Sequence, residues 1–370
     1  LKEKYETAED KFDYYTFFLE RASKLLKHKG TLSLITPNTY FMKPLSKKIR
    51  KFIIQNHKIT QITDFKYMVF DAEVPTAIIT LLKDTNNARN KIEICYEINS
   101  ENDFITKHYK IKRISQNQFV SDPYYFSIYA DNSFFNIWNK LLSQKDILPL
   151  GGKNGLGEIY NGIQTGDDDK FVSNEKKDEN WQKVITGSDI NLYYIRFGGK
   201  YVYYVPEKLH SNTRKDIFKT DEKIIIRQTA DRLIGTIDYE QYYTMASTHI
   251  IKQYIKKVDY KYLLAILNSD LFLYLYRNKN HEKGRLLAQI KKMHIKDFPI
   301  KISKDKELEC LVEKILKLMC VDAEYKEILK DKNLRLKIDA LKLEINERVY
   351  KLYNISPEEQ IIIRTNLSVV

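Results

Sequence analysis

The chain has 370 residues, of which 43% are apolar and 30% charged, with a formal net charge of +13. This composition is ordinary for a globular protein of two or three domains, and no run approaches the roughly 18 apolar residues of a membrane span. The three cysteines lack metal-binding spacing and predict free thiols in a reducing cytoplasm. The excess of positive charge suits an anionic partner such as nucleic acid.

The first hundred residues alternate helical and strand patterns. Apolar residues at three- and four-residue steps predict helices over 10–29, ended by Gly30, and over 47–56. Apolar runs predict strands over 32–36, 59–65, 76–82 and 91–98, and the run 76–82 is apolar enough to be buried on both faces. This order predicts an α/β sheet that is too short to close by itself. The chain also starts without methionine, so we expect a processed chain or a fragment.

The pattern changes in the rest of the chain. Residues 99–150 are expected to connect two parts and to include an aromatic helix near 133–142. The glycine-rich stretch 151–157 opens a mixed α+β region with predicted strands at 201–205, 223–227, 235–238 and 249–252 and a helix over 260–277. The charged tail predicts two antiparallel helices joined near 321–325, followed by a capping box at Ser356–Glu359.

Several segments stand in an order that resembles a known family. They are Tyr14–Leu26, Gly30–Tyr40 (Gly-Thr-Leu-Ser-Leu-Ile-Thr-Pro-Asn-Thr-Tyr), Val69–Thr76 (Val-Phe-Asp-Ala-Glu-Val-Pro-Thr), Gly162–Gly166, Ile224–Asp231, Leu267–Ser269, Gln289–Lys292 and Ile345–Glu359. The set resembles the second half of the TaqI-like and type IIG adenine-N6 DNA methyltransferases of bacterial restriction–modification systems, and it covers nearly the whole chain. No Asn-Pro-Pro-Tyr motif and no glycine-rich cofactor turn after a strand occurs in the sequence.

The resemblance implies a fold class and a domain order. Residues 1–98 would be an α/β remnant of a Rossmann-like methyltransferase sheet, the C-terminal half of the catalytic domain. Residues 99–150 would connect it to a mixed α+β target-recognition domain at 151–303, and 304–370 would form a C-terminal helical region. The parent would transfer methyl from S-adenosylmethionine to adenine in double-stranded DNA, with a nuclease in the parent or a partner subunit. This fragment alone would bind DNA without methylating it.

Phe70 is the residue to which the resemblance gives the sharpest role. In the family, the target adenine is flipped out of the duplex and lies between the tyrosine of the missing motif and an aromatic at this position. An aromatic face recovers part of the unstacking free energy. The alternative is a core phenylalanine at a strand end, as Phe65 and Tyr67 would be.

A polar loop flanked by glycines is a candidate DNA contact. Glutamine and threonine can read base edges, and aspartate can accept from a cytosine amino group. The alternatives are a solvated turn or a metal site, although the spacing is not that of a calcium loop. The residues concerned are Gln164, Thr165, Asp167, Asp168, Asp169 and Lys170.

Arg227, Gln228 and Arg232 follow a strongly apolar predicted strand. Arginine pairs with guanine and glutamine with adenine through two hydrogen bonds in the major groove, so these residues are candidate base readers. The alternative for Arg227 is an ion pair with a neighbouring acid such as Asp231.

The positive charge is concentrated in residues 277–301, which carry eight lysines and arginines against two acids. From this stretch we expect phosphate contacts that give salt-dependent, sequence-independent affinity, with a solvated face as the alternative. The residues assigned to DNA are Lys283, Arg285, Gln289, Lys291 and Lys292. The histidines show no metal-ligand spacing, so no metal is expected.

Two other functions remain open at this point. A specificity subunit that binds DNA and never methylates would carry the same recognition domain, but it has no need of a methyltransferase half-sheet. RNA modification suits the charge equally well, whereas the recognition-domain resemblance points to duplex DNA.

Overall fold

The structure, a computed structural model, describes residues 4–9, 13–71, 74–85, 89–120, 124–279, 289–320 and 324–368. The chain forms two compact units, Leu1–Phe135 and Asn136–Val370. Each contains both helices and strands, so the protein is mixed α/β with several sheets, as predicted at that level. No helix in these ranges combines the length and apolarity needed to cross a membrane.

The first unit is built on one five-stranded sheet. Its elements are α1 (Tyr14–Leu25), β1 (Thr31–Pro37), α2 (Lys47–Asn56), β2 (Lys58–Phe65), β3 (Thr76–Leu82), β4 (Lys91–Ile98), α3 (Glu101–Ile105) and β5 (Lys110–Ser115), and α4 (Asn132–Leu142) crosses the unit boundary. The strand order is β1-β3-β2-β4-β5. Because β3 is antiparallel to both β1 and β2, and β2 is parallel to β4, strands β1, β2 and β4 run in the same direction. Their carboxyl ends therefore share one edge of the sheet.

Strand β3 corrects one expectation. Ala77, Ile79 and Leu81 are buried, but the alternate residues Ile78, Thr80 and Leu82 are only half-buried. The reason is a polar row that crosses the second face of the sheet in register, made by Ser33, Thr80, Gln61, Glu93 and Arg113. Hydrogen bonds join Ser33 to Thr80 and both Gln61 and Arg113 to Glu93. That face is thus built for a polar environment.

Strand β5 also lies inside 99–150, the expected connecting segment, so part of that segment belongs to the first sheet. The finer division at residues 98, 150 and 303 stays a prediction.

The second unit contains several small sheets and a helical region. Its strands are β6 (Ile147–Pro149), β7 (Gly157–Asn161), β8 (Val172–Ser173), β9 (Trp181–Ile185), β10 (Ile190–Asn191), β11 (Tyr194–Ile195), β12 (Tyr201–Tyr203), β13 (Lys223–Arg227), β14 (Gly235–Asp238), β15 (Tyr243–Thr244), β16 (Thr248–Gln253) and β17 (Pro299–Lys301). Two four-stranded sheets have the orders β14-β13-β16-β7 and β15-β9-β12-β8, and two-stranded pairs join β10 to β11 and β17 to β6. The helices are α5 (Asp168–Phe171), α6 (Lys215–Phe218), α7 (Tyr260–Leu267), α8 (Asp270–Lys279), α9 (Lys292–Ile295), α10 (Lys306–Met319), α11 (Tyr325–Lys330), α12 (Lys332–Leu352) and α13 (Pro357–Ser368).

The helix expected over 260–277 is divided into α7 and α8. Asn268 ends α7 because its side chain donates to the Gly235 carbonyl at 3.0 Å and accepts from the Gly235 N–H at 3.2 Å. The Ser269 hydroxyl donates to the Ile266 carbonyl and accepts from the Phe272 N–H, so it caps the start of α8. The hydrogen bonds of Asn268 to β14 thus interrupt the helix, although the apolar helical pattern continues through 260–277.

The tail has the two predicted helices α10 and α12, but the short helix α11 (Tyr325–Lys330) lies between them where only a connection near 321–325 was expected. Ile338, Ile345 and Val349 of α12 are buried, and α10 packs on α12. The capping box before α13 is confirmed: the Ser356 N–H donates to the Glu359 carboxylate at 2.8 Å, and the Glu359 N–H donates to Ser356 Oγ at 3.3 Å.

Buried His57 links the stability of the first unit to pH. Its Nε2 lies 2.9 Å from Ser23 Oγ, and burial lowers the pKa of the ring from 6.5 to about 4. The folded state therefore disfavours the charged ring, so its contribution to stability is complete above pH 6.5 and is lost as the pH falls toward 4. From pH 7 to pH 5 we expect this residue to lower the free energy of unfolding by about 2 kcal/mol. Urea unfolding at both pH values checks this. A His57→Gln variant should show a smaller pH dependence, and an unchanged dependence would contradict the assignment.

A buried ion pair joins β13 to β14 at one end of the four-stranded sheet. Lys223 Nζ donates to the Asp238 carboxylate and, at 2.8 Å, to the Phe218 carbonyl, and both charged side chains are fully buried. Replacing Lys223 by methionine leaves the Asp238 charge buried without its cation, so we expect a loss of about 3–5 kcal/mol in the free energy of unfolding. The Arg214–Asp216 pair is exposed to solvent, so Arg214→Ala should destabilise the protein far less than Lys223→Met. Equal losses in urea unfolding would show that burial does not decide the effect.

Candidate nucleic-acid interface

The loop after β7 is shaped by its own side chains. The Thr165 side chain, only 4% exposed, donates to the Asp168 carboxylate and accepts from the Asp167 N–H. Asp167 accepts from the Lys170 N–H at 3.2 Å and so caps α5. These side chains therefore hydrogen-bond within the loop and shape the turn. Where the structure describes the chain, no cluster of acidic, histidine or cysteine side chains suits a metal ion.

Of the candidate residues in this loop only Thr165 is buried, and Gln164 and Lys170 are exposed together with the three aspartates 167–169. Gln164 is exposed, and its Oε1 accepts from Ser211 Oγ at 2.8 Å. That bond orients the amide and leaves Nε2 without a hydrogen-bond partner among the described residues. Lys170 is exposed, with its ammonium 5.3 Å from the centre of the Phe171 ring. The Gln164 amide is thus oriented so that its Nε2 can donate a hydrogen bond to a ligand at the surface.

Arg227 stands at the end of the buried strand β13. Residues 223–226 are buried, and Arg227 is the first half-exposed position. Its main chain bonds to Ile234, while its guanidinium has neither a hydrogen bond nor an ion pair with any described residue. The alternative that it pairs with Asp231 is wrong, because the Asp231 carboxylate lies 3.6 Å from Arg277. Arg227 therefore keeps its five donors for a ligand.

Gln228 and the segment 289–292 lie side by side. The Gln228 N–H donates to the Ser247 carbonyl at 2.9 Å, and its carbonyl accepts from the Ile290 N–H at 2.8 Å. Ile290 is buried, and its carbonyl lies 2.7 Å from His249 Nε2; burial lowers the pKa of that ring. The structure thus brings Gln289 and the exposed Lys291 and Lys292 beside Gln228. Lys283 and Arg285 lie outside the described residues.

Three cations of the predicted set do not join this edge. Arg232 lines a separate cavity of about 200 Å³ with Asp270 and Asn346, and its Nε is buried without a hydrogen-bond partner. In the basic stretch, Arg277 is mostly buried beside Asp231, and Lys279 is buried 3.4 Å from Asp297. Burial lowers the pKa of Lys279, although the Asp297 carboxylate opposes that shift. Fewer cations therefore lie at this edge than the sequence indicated.

Two open grooves border the Gly187–Ser188 turn. The first, of about 660 Å³, contains Arg227 and is lined by the β10–β11 region and by α11. The second, of about 560 Å³, contains Gln164, Thr186, Lys200 and Ser247. The Gly187 N–H donates to Ser247 Oγ at 2.9 Å, which fixes the turn between them. A polar surface therefore extends from Gln164 to Arg227.

The first groove contains cations that sequence reasoning missed. Arg196 and Lys326 line it together with Arg227, and its carboxylates are Asp189 and Glu324. Asp189 accepts from the Thr186 N–H at 2.6 Å and from the Thr186 hydroxyl at 2.8 Å, so it serves the turn. Arg196 and Lys200 could have been chosen as candidates from the sequence. They flank Gly198-Gly199 in the same way that the candidates Gln164 and Asp167 flank glycines. Lys326 carried no such signal, since it lies about a hundred residues away.

Phe70 lies in the first unit and is not a core residue. Its side chain is 55% exposed, which contradicts the alternative of a phenylalanine packed at a strand end. Phe65 is buried, as that alternative would require of Phe70, and Tyr67 packs against it. Phe70 is therefore available to a ligand, and its role in base stacking stays a prediction.

Two protein families match separate parts of the chain. Residues 182–300 match the TaqI-like C-terminal specificity domain, and residues 1–70 match the Eco57I restriction-modification methylase family. The specificity-domain match includes Arg227, Gln228 and most of the groove. The resemblance inferred from the sequence is thereby confirmed.

Two curated relatives extend the likeness. RM.Eco57I of Escherichia coli, a type II restriction enzyme and methyltransferase, is 27% identical over 188 residues, which cover 48% of this chain and 17% of that protein. A putative type II restriction enzyme and methyltransferase of Methanocaldococcus jannaschii, RM.MjaORFECS2P, is 25% identical over 324 residues, 83% of this chain and 26% of that protein. The chain thus spans only 17% to 26% of the length of these relatives.

Solved structures share the fold. The type IIL restriction–modification enzyme MmeI, solved in complex with DNA, superposes with a TM-score of 0.58 at 13% identity and covers 93% of this chain and 50% of that one. The type ISP enzyme LlaBIII, solved bound to DNA, gives a TM-score of 0.52 at 12% identity, with 83% and 26% coverage. At such identities the likeness concerns the fold.

Proposed function

We propose that this chain is the DNA-recognition part of a type II restriction–modification DNA methyltransferase. The observation that carries the proposal is Arg227, which ends a buried strand within the region that matches the TaqI-like specificity domain, lines an open groove, and has no guanidinium partner among the described residues. A planar, rigidly anchored arginine suits bidentate recognition of guanine in the major groove. Gln228, Gln164 and Gln289 supply amides beside it for other bases, and Lys291 and Lys292 supply charge for phosphates.

For the parent protein we propose methyl transfer from S-adenosylmethionine to adenine N6 in double-stranded DNA, in the bacterial cytoplasm. The names of the relatives combine a restriction enzyme with a methyltransferase, which supports a nuclease in the parent or in a partner subunit. The turn after β1, Pro37-Asn38-Thr39-Tyr40, has no glycine and does not suit the cofactor. No step of the transfer is therefore assigned to this chain, which we expect to bind DNA without methylating it.

The first unit favours a methyltransferase over a pure specificity subunit. Residues 1–70 match a methylase family, which a subunit that only positions a partner would not need. The parallel strands β1 and β2, joined through α2, form a strand–helix–strand unit of the kind that builds Rossmann-like sheets. This supports our proposal that the first sheet is the remainder of a catalytic domain.

Arg227→Ala should relax base preference at one position of the bound site. Duplexes selected from a random pool by the wild-type chain would serve as the reference. Losing a bidentate contact to guanine should cost about 1–3 kcal/mol of discrimination at that position, measured as Kd ratios between single-base variants. Arg335→Ala, at an exposed arginine of α12, is the matched control. An unchanged preference profile in Arg227→Ala would refute the assignment, and absence of any salt-dependent DNA binding would refute the proposed function.

Lys326→Ala should weaken binding to all duplexes alike. Lys326 is exposed on α11 at the wall of the first groove, where it suits a phosphate contact. Losing one such contact should reduce the slope of log affinity against log salt by about 1. Lys330, on the same helix, pairs with Glu327 at 2.7 Å, and Lys330→Ala should leave the slope unchanged. Equal slopes in both variants would remove α11 from the interface.

A further inference from the structure

The Phe70 loop joins β2 to β3 at the edge where β1, β2 and β4 end; its described residues are 66–71, 74 and 75. Met68 and Phe70 are exposed, whereas the alternate residues Tyr67 and Val69 pack against a buried cluster. The cluster consists of Phe65, Cys95 and Ile98. The packing of Tyr67 and Val69 therefore anchors the chain on either side of Met68 and directly before Phe70, while the Phe70 ring stays at the surface.

Asn38 joins the two ends of this loop. It is the first residue after β1, and its backbone N–H donates to the Pro75 carbonyl at 3.0 Å. Its side-chain Nδ2 donates to Asp64 Oδ1 at 2.7 Å. Asp64 precedes the loop and Pro75 closes it, so one asparagine holds both of its ends. Fixing the ends of a loop lowers the number of conformations open to the residues between them.

The Asp64 carboxylate is itself held on its second oxygen. Tyr129 donates its phenolic hydroxyl to Asp64 Oδ2, and Lys66 Nζ lies 4.0 Å from the same atom. The Lys66 ammonium also lies 4.3 Å from the centre of the Tyr129 ring. Asp64 is only 2% exposed, and a buried carboxylate is strongly favoured where donors surround it. Asn38 is thus attached to a rigid point of the sheet.

We propose that Asn38 is a positioning residue for Phe70, acting through the Asp64 carboxylate and the Pro75 carbonyl. The inference rests on the proposed role of Phe70 as the ring that stacks on a base extruded from the duplex. Stacking needs a ring held at a fixed place and angle, and a loop with free ends would pay the ordering entropy at each binding event. The hydrogen bonds of Asn38 restrict the loop when the protein folds, so less conformational entropy is lost when DNA binds.

The test compares two duplexes of one sequence, one fully paired and one with a single unpaired 2-aminopurine, bound to the 370-residue chain. An unpaired base costs little to extrude, so the wild type should bind that duplex more tightly and quench its fluorescence by stacking. Phe70→Ala should reduce this preference about tenfold. Asn38→Ala should lose most of the same preference, while its Kd for the fully paired duplex stays unchanged.

Exchanging donor and acceptor supplies a rescue. Asn38→Asp alone places two carboxylates together and should lose the preference, whereas Asn38→Asp with Asp64→Asn re-forms an N–H···O bond and should restore much of it. Asn99→Ala is the control, because Asn99 follows β4 at the same sheet edge and, among the described residues, its side chain donates to the Glu97 carbonyl alone.

The outcomes separate the two claims. If Phe70→Ala keeps the preference, or the wild type has none, the stacking role falls and the inference with it. If Phe70→Ala loses the preference and Asn38→Ala keeps it, positioning by Asn38 alone is refuted. If Asn38→Ala weakens binding to both duplexes alike, or the exchanged pair fails to rescue, Asn38 has a merely structural role and the inference is overturned.

Discussion

The burial of β13 is the constraint on which the second unit depends. Residues 223–226 are enclosed between β14 and β16, so every polar group of the strand must find a partner inside the protein or lie at an end. At one end Lys223 meets Asp238 inside the core. At the other end Arg227 emerges half-exposed, with its main chain held by Ile234. A buried strand thus presents to the groove a guanidinium that has no partner in the part of the chain that the structure describes.

The groove around Arg227 is assembled from segments distant in sequence. The Gly187 turn, the β10–β11 region and α11 surround the arginine, and hydrogen bonds through Ser247 connect the turn to Gln228. Each segment is fixed by its own local bonds, such as those of Asp189 to Thr186. Side chains that a packed scaffold holds in place lose little conformational entropy when a ligand binds. The first unit has a similar arrangement at Asn38, whose hydrogen bonds at the sheet edge fix the two ends of a loop.

Several elements could be predicted because their signals are local. The bounds of α2, β3, β4, β13 and β14 follow from apolar periodicity, and the Ser356 capping box follows from side chains three residues apart. The break between α7 and α8 could not be predicted, because the Asn268 side chain hydrogen-bonds to Gly235 in another element. Among the site residues, the sequence supplied Arg227 and Gln164 but also Arg232, which the fold turns toward Asp270.

The sequence by itself determined the family resemblance and the presence of a strongly basic stretch, because these depend on residue order and composition. Only the tertiary structure decided which cations remain available for DNA. Arg277 and Lys279 are themselves buried and lie beside Asp231 and Asp297, Arg227 has no carboxylate partner among the described residues, and Lys326 enters the groove from a remote helix. The physical reason is that a charge is neutralised by whatever lies within a few ångströms in space, and separation along the chain does not determine that distance.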